Sequence, residues 1–136
     1  MTQMLEKLNP IALLLVRVIA GYLFLLHGTA KFFEFPLSMT EGNGSVPLFS
    51  LFGLAAIIEI SGGILLILGL ATRLSALVLS GQMAYAYFFI HATAETFLFP
   101  MLNQGELAVL YSVLFLMFVF TGAGKFSLDY KIMNKH

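Results

Sequence analysis

Apolar residues run almost without a break through four stretches of the chain, Ile11 to Phe33, Leu48 to Ala71, Leu74 to Ala92 and Leu107 to Gly122, with polar residues gathered between them. A hydrocarbon core about 30 Å thick takes roughly 20 apolar residues of helix, and all four stretches meet or approach that length. Backbone groups in lipid must bond within their own segment, so each stretch is expected as an α-helix. The pattern predicts an all-α, polytopic membrane four-helix bundle with helices at 11–33, 48–71, 74–92 and 105–122, in one domain spanning residues 1–136. The first stretch contains Arg17 and outruns a signal-peptide core, so it reads as an uncleaved first helix.

Lys7, Arg73, Lys125, Lys131 and Lys135 fall on one side of these helices, whereas Glu34, Glu41 and Glu95 occupy the other two loops. By the bias of Lys and Arg toward the cytoplasm, both termini are expected there. The Gly/Ser/Asn/Pro-rich stretch Ser38 to Pro47 reads as a turn-rich outer excursion and not as a linker between domains.

An internal repeat organises the helices. Leu26-His27-Gly28-Thr29-Ala30-Lys31 lies over Ile90-His91-Ala92-Thr93-Ala94-Glu95 at an offset of 91 − 27 = 64, and the match continues through Phe33/Phe97, Phe35/Phe99 and Pro36/Pro100. Gly53 to Ser75 lies over Gly105 to Ser127 at an offset of 52, matching Gly53/Gly105, Ala56/Ala108, Arg73/Lys125 and Ser75/Ser127. Two parallel tandem hairpins, related by a pseudo-two-fold axis along the membrane normal, are therefore expected, with His27 and His91 at equivalent depths.

Composition narrows the function classes. Only 10% of residues are charged against 60% hydrophobic, and the formal net charge is +0, so nothing supports nucleic-acid binding. Cysteine is absent, which removes disulfide and thiolate chemistry from this chain's own residues; any redox role would borrow a cofactor, substrate or partner.

Ionisable groups in the apolar stretches should face one another, because each costs a few kcal/mol at the membrane centre. Counted from the helix ends, Arg17 and Glu59 form the expected structural intramembrane pair, orienting helices one and two. His27, Lys31, His91, Asn103, Gln104 and Glu106 all lie toward the opposite rim, with Tyr85, Tyr87 and Phe88 as aromatic walls. Converging there, His27, Lys31, His91, Asn103, Glu106 and Tyr85 would make a ligand-binding pocket for a flat ring with carbonyl oxygens, such as a quinone, whose oxygens need donors. His27, His91 and Glu106 lack metal-site spacing, so no metal is expected; two histidines at helix ends also serve as plain interfacial hydrogen-bonders.

Arg17-x-x-x-Gly21 followed by His27-Gly28-x-x-Lys31 resembles the first-helix signature of the DoxX family of small four-helix bacterial membrane proteins. Glu59-x-x-Gly62-Gly63 leading to Leu68-Gly69-Leu70-x-Thr72-Arg73 is similar to its second helix and Ala84-Tyr85 to His91 to its third. Phe99-Pro100-x-x-Asn103-x-Gly105-Glu106-x-Ala108 is similar to its fourth, and Gly122-x-Gly124-x-x-Ser127-x-Asp129 fits the family's end. Two positions depart: Gln82 stands where related chains often have an acidic residue, and Gln104 where they often have glycine. The resemblance implies a multi-pass protein of the bacterial cytoplasmic membrane. It also implies links to thiosulfate:quinone oxidoreduction or to oxidative defence beside superoxide dismutase and a sulfurtransferase. Catalytic residues are not identified and no intrinsic cofactor is expected. The leading expectation is a quinone-linked membrane component of a redox or oxidative-stress system, an oxidoreductase subunit acting with a partner, with the bilayer, a redox-protein partner and a second copy of the chain as partners. The rival is a non-catalytic small-molecule carrier or structural membrane scaffold.

Overall fold

In the computed structural model, which describes residues 1–133, every regular element is helical. The elements are α1 (Thr2–Phe33), α2 (Leu51–Leu68), α3 (Thr72–Ala86) continued by a π-helical turn (Tyr87–His91), α4 (Glu106–Thr121) and the short α5 (Leu128–Met133). Three helices, Thr2–Phe33, Leu51–Leu68 and Thr72–His91, are long and apolar enough to cross a membrane, and Glu106–Thr121 is a shorter apolar helix.

The boundaries follow local chemistry. α1 begins nine residues before the expected 11 (11 − 2 = 9), because Met4, Leu5 and Leu8 extend the apolar periodicity and Pro10 is accommodated within the helix. α2 is shorter than 48–71: the Ser50 hydroxyl accepts from Gly53 N at 3.0 Å to start it, and Gly69, in the left-handed region at φ 66°, ends it. α3 starts at Thr72 because the Asp129 carboxylate accepts from Ala71 N at 2.7 Å and Thr72 N at 2.9 Å, capping the helix from a distant part of the chain.

α1 and α2 approach backbone to backbone. A Cβ on Gly21 would lie 2.8 Å from Gly63 O, and one on Gly63 would lie 2.7 Å from Gly21 O, so only glycine permits this spacing. α3 and α4 are joined by reciprocal hydrogen bonds, Ser80 Oγ to Ser112 O at 2.7 Å and Ser112 Oγ to Ser80 O at 3.0 Å. Leu79 fills the space above Gly62, bringing α3 to α2. The shared core is Ala20, Phe24, Leu66, Ala76, Leu79, Tyr111, Phe115 and Phe118. Phe24 packs edge-on against Phe115 and Tyr111, with centroids 4.9 Å and 5.0 Å apart.

Below that core, polar groups close one end. Arg17, 1% exposed, donates Nη1 to Ala123 O and Nη2 to Phe126 O, the latter at 2.8 Å, fastening the segment after α4 to α1. Arg73 Nη1 donates to Val119 O at 2.7 Å and Phe120 O at 2.9 Å, satisfying carbonyls at the end of α4.

The expected Arg17–Glu59 pair is corrected here: Glu59 binds Lys31, and Arg17 binds backbone carbonyls. The Gly21/Gly63 and Gly28/Ala56 contacts set an antiparallel register that puts Glu59 opposite Leu25. That is eight residues from Arg17 (25 − 17 = 8), about 12 Å along the axis. Helical side chains also lean toward their own N-terminus. Lys31 and Glu59 lean toward each other across the antiparallel pair, whereas Arg17 leans away toward the segment 123–126.

Candidate functional site

At the other end the helices line an open cavity of about 710 Å³ between α1, α2, α3 and the start of α4, with Met39 of the loop after α1 also at its wall. Its surface is mostly aliphatic and aromatic, including Leu51, Leu54, Ile58, Val78, Phe24 and Tyr111. His27 and His91 both face this one cavity, together with Lys31, Glu59, Gln82, Tyr85 and Gln104.

The polar groups are ordered among themselves. Lys31 Nζ donates to Glu59 Oε2 at 2.7 Å and Oε1 at 3.0 Å, and Gln82 Nε2 donates to Glu59 Oε1 at 3.0 Å. Three helices thus contribute to one cluster, in which the carboxylate is neutralised by an ammonium and steadied by an amide. Gln82 Oε1 is buried without a partner. His91 Nδ1 lies 3.3 Å from Asn103 O; a carbonyl only accepts, so Nδ1 carries the hydrogen and Nε2 is left as the acceptor in a neutral ring. The π-helical turn Tyr87–His91 supports this placement by rotating the end of α3, and Ala92 N closes it onto Tyr87 O at 2.8 Å. His27 stands 5.9 Å from Phe24 and 6.4 Å from Tyr111, centroid to centroid. Tyr85 stacks on Phe89 at 4.5 Å.

Four of the six residues expected at the pocket therefore line the cavity: His27, Lys31, His91 and Tyr85. Asn103 and Glu106 do not. Asn103 organises the loop before α4: its Nδ2 donates to Thr96 O at 3.1 Å and to Tyr87 Oη at 3.3 Å, and its Oδ1 accepts from Gly105 N at 2.9 Å. Glu106 is exposed in the first turn of α4, where a carboxylate complements the helix dipole. Glu59, assigned to the structural pair, belongs instead to the cavity.

Gln104, expected at this rim, does line the cavity; Gln82 and Tyr111 also line it and were not expected there. Tyr111 lies on the same face of α4 as Phe115 and Ala108, all buried. Gln104 adopts φ 59°, a left-handed conformation that glycine takes freely and other residues adopt at a cost. Among the described residues no three His, Cys, Asp or Glu side chains gather to hold a metal ion.

The profile of the DoxX family matches residues 12–92. A Haemophilus influenzae protein described as "Uncharacterized protein" is 56% identical over 134 residues, covering 96% of this chain and 98% of that protein. A Bacillus subtilis protein named "Putative oxidoreductase CatD" is 39% identical over 71 residues, 52% of each chain. No solved structure matches significantly.

Proposed function

The chain belongs to the DoxX family of membrane proteins, and from that premise we propose that it is a quinone-linked component of a redox or oxidative-stress system that binds a ring-shaped ligand in the cavity among α1, α2, α3 and the start of α4. The observation that carries this reading is the convergence of His27, His91 and the Lys31–Glu59–Gln82 cluster on one largely apolar space of about 710 Å³, a size and lining suited to a small-molecule ring. The name of the Bacillus subtilis relative agrees with it in kind.

The residues fit such a ring. A ring carbonyl would accept from the Lys31 ammonium or from His27, and a ring hydroxyl would donate to His91 Nε2, while Phe24, Tyr85 and Tyr111 flank the plane. A bound quinone would supply two-electron redox capacity that no side chain here has. This chain's part is to exclude water, to orient the ring and to hold donors and acceptors at its oxygens.

In this reading α1/α2 and α3/α4 are two like-oriented hairpins of a single four-helix domain in the bacterial inner membrane, with both termini cytoplasmic. A carrier is less well supported, since Phe24, Leu66, Leu79, Phe115 and Phe118, all nearly inaccessible, fill the space between the cavity and the Arg17 end.

The test is titration of the purified protein with a menaquinone or ubiquinone analogue, followed by tyrosine fluorescence. Saturable binding weakened roughly tenfold by His27→Ala or His91→Ala, the loss of about one charge-free hydrogen bond in an apolar site, is expected. Binding unchanged in both variants would rule the site out.

A further inference from the structure

A second concavity, of about 610 Å³, lies at the opposite end, between the first turns of α1 and the segment that Arg17 fastens; Gln3, Glu6, Lys7, Pro10, Lys125 and Phe126 form it. Its position relative to the membrane follows from length. α1 has 32 residues, about 48 Å of helix at 1.5 Å per residue against a hydrocarbon core of about 30 Å. The loop end of α1 holds the intramembrane Lys31–Glu59 pair, so the surplus lies at its beginning and puts Gln3 to Pro10 at headgroup level. The other face of these turns agrees: Met4, Leu5 and Leu8 are 60%, 56% and 47% exposed, an apolar stripe that rests in the interface.

The groove's charges form a pattern. Lys7 on α1 and Lys125 on the fastened segment stand on its two sides, with Glu6 beside them and Phe126 supplying apolar surface. Among the described residues none of the three ionised groups has an ion-pair partner. Lys125 is held in place, because Arg17 binds Phe126 O, and Ser127 Oγ donates to Gly124 O at 2.7 Å. Two lysines lining one groove suit a phosphodiester, and the carboxylate that shares the groove suits a primary ammonium two carbons away from it.

We propose that this groove binds the phosphoethanolamine headgroup of a membrane phospholipid, the phosphate between Lys7 and Lys125 and the amine on Glu6. A purely anionic headgroup leaves Glu6 unmatched, and a quaternary ammonium has no hydrogen to donate to it. Phe126 and Ile11, apolar residues lining the groove, flank the start of the acyl chains.

The experiment titrates delipidated full-length protein with phosphatidylethanolamine, phosphatidylcholine and phosphatidylglycerol of identical acyl chains, counting bound lipid by native mass spectrometry. Phosphatidylethanolamine is expected to bind most tightly, and Lys7→Gln or Lys125→Gln to weaken it roughly fivefold each, the scale of one basic group at a charged lipid surface. Glu6→Gln is expected to reduce the ethanolamine lipid to the level of the choline lipid, and Lys7→Arg to preserve binding. Equal affinity for the three lipids, or lysine variants that bind like the parent, would overturn the proposal. So would displacement of the lipid by equimolar free phosphoethanolamine, which would assign the groove to a soluble phosphate.

Discussion

The two ends of this molecule both bury cations among apolar helices, and they do so in opposite ways. At the closed end Arg17 gives its guanidinium to the carbonyls of Ala123 and Phe126, inside a seal of Phe115, Phe118 and Leu66. At the open end Lys31 meets a carboxylate on the wall of a large cavity. A guanidinium fixed on backbone oxygens and 1% exposed, its remaining Nε–H buried as well, lies out of a ligand's reach, so it holds structure. An ammonium–carboxylate pair on a cavity wall can exchange partners where a ligand supplies a replacement acceptor or donor. The difference gives the closed end a structural part and leaves the open end free for the binding role proposed for it.

The largest effect that would break this comparison is at Arg17. Arg17→Met removes two charge-assisted hydrogen bonds and leaves two carbonyls without donors, an expected loss of about 3 kcal/mol from the free energy of unfolding. Reversible unfolding in mixed detergent micelles, monitored by circular dichroism, measures it. A variant as stable as the parent would show that the closed end is held by packing alone.

A smaller effect is expected at the open end, and there the sign of the contrast matters more than its size. Replacing both partners in Lys31→Met/Glu59→Leu removes a paired charge without stranding either ion and leaves only the Gln82 amide to find a new acceptor, so stability should change by about 1 kcal/mol. Ring binding, followed by the same fluorescence titration, should nonetheless fall. If the double variant unfolds as readily as Arg17→Met, the two ends do not divide the work as described.

The same contrast explains what could be read from the chain itself. The apolar stretches announced the helices, and the repeat of His27 and His91 brought out two residues that share a cavity. The pairing of Arg17 could not be read, since its partners are carbonyls of Ala123 and Phe126, and every residue of any type carries a carbonyl. Counting depth from the ends of apolar runs put Glu59 within reach of Arg17. The register set by Gly21 and Gly63, with the lean of side chains along antiparallel helices, decides for Lys31. Asn103 and Glu106 were placed in the pocket by proximity in sequence to its rim. The turn around Gln104, at φ 59°, directs the chain so that Asn103 binds Tyr87 and Thr96 and Glu106 meets solvent.

The smallest expected effect is local to the loop that follows α1. Glu34 ends that helix at φ 53°, and its Oε1 accepts from the Ser38 hydroxyl at 2.7 Å, from Gly44 N at 3.3 Å and from the Thr40 hydroxyl at 3.4 Å. These donors, Ser38 foremost, favour the ionised form and hold its carboxyl below the usual carboxylate range. A group whose pKa falls on folding stabilises the folded loop above its ordinary pKa, and that contribution is lost as pH falls through the depressed value. Amide exchange at Gly42 and Gly44, corrected for the intrinsic rate, should therefore lose protection on acidification, while the helical amides around Leu66 and Leu79 hold. Glu34→Gln should flatten that dependence, because its neutral amide has no proton to gain. Parallel acid sensitivity in the helices would mean that the loop and the cavity beneath Met39 unfold as one unit, and the open end would then be less independent of the closed end than its geometry argues.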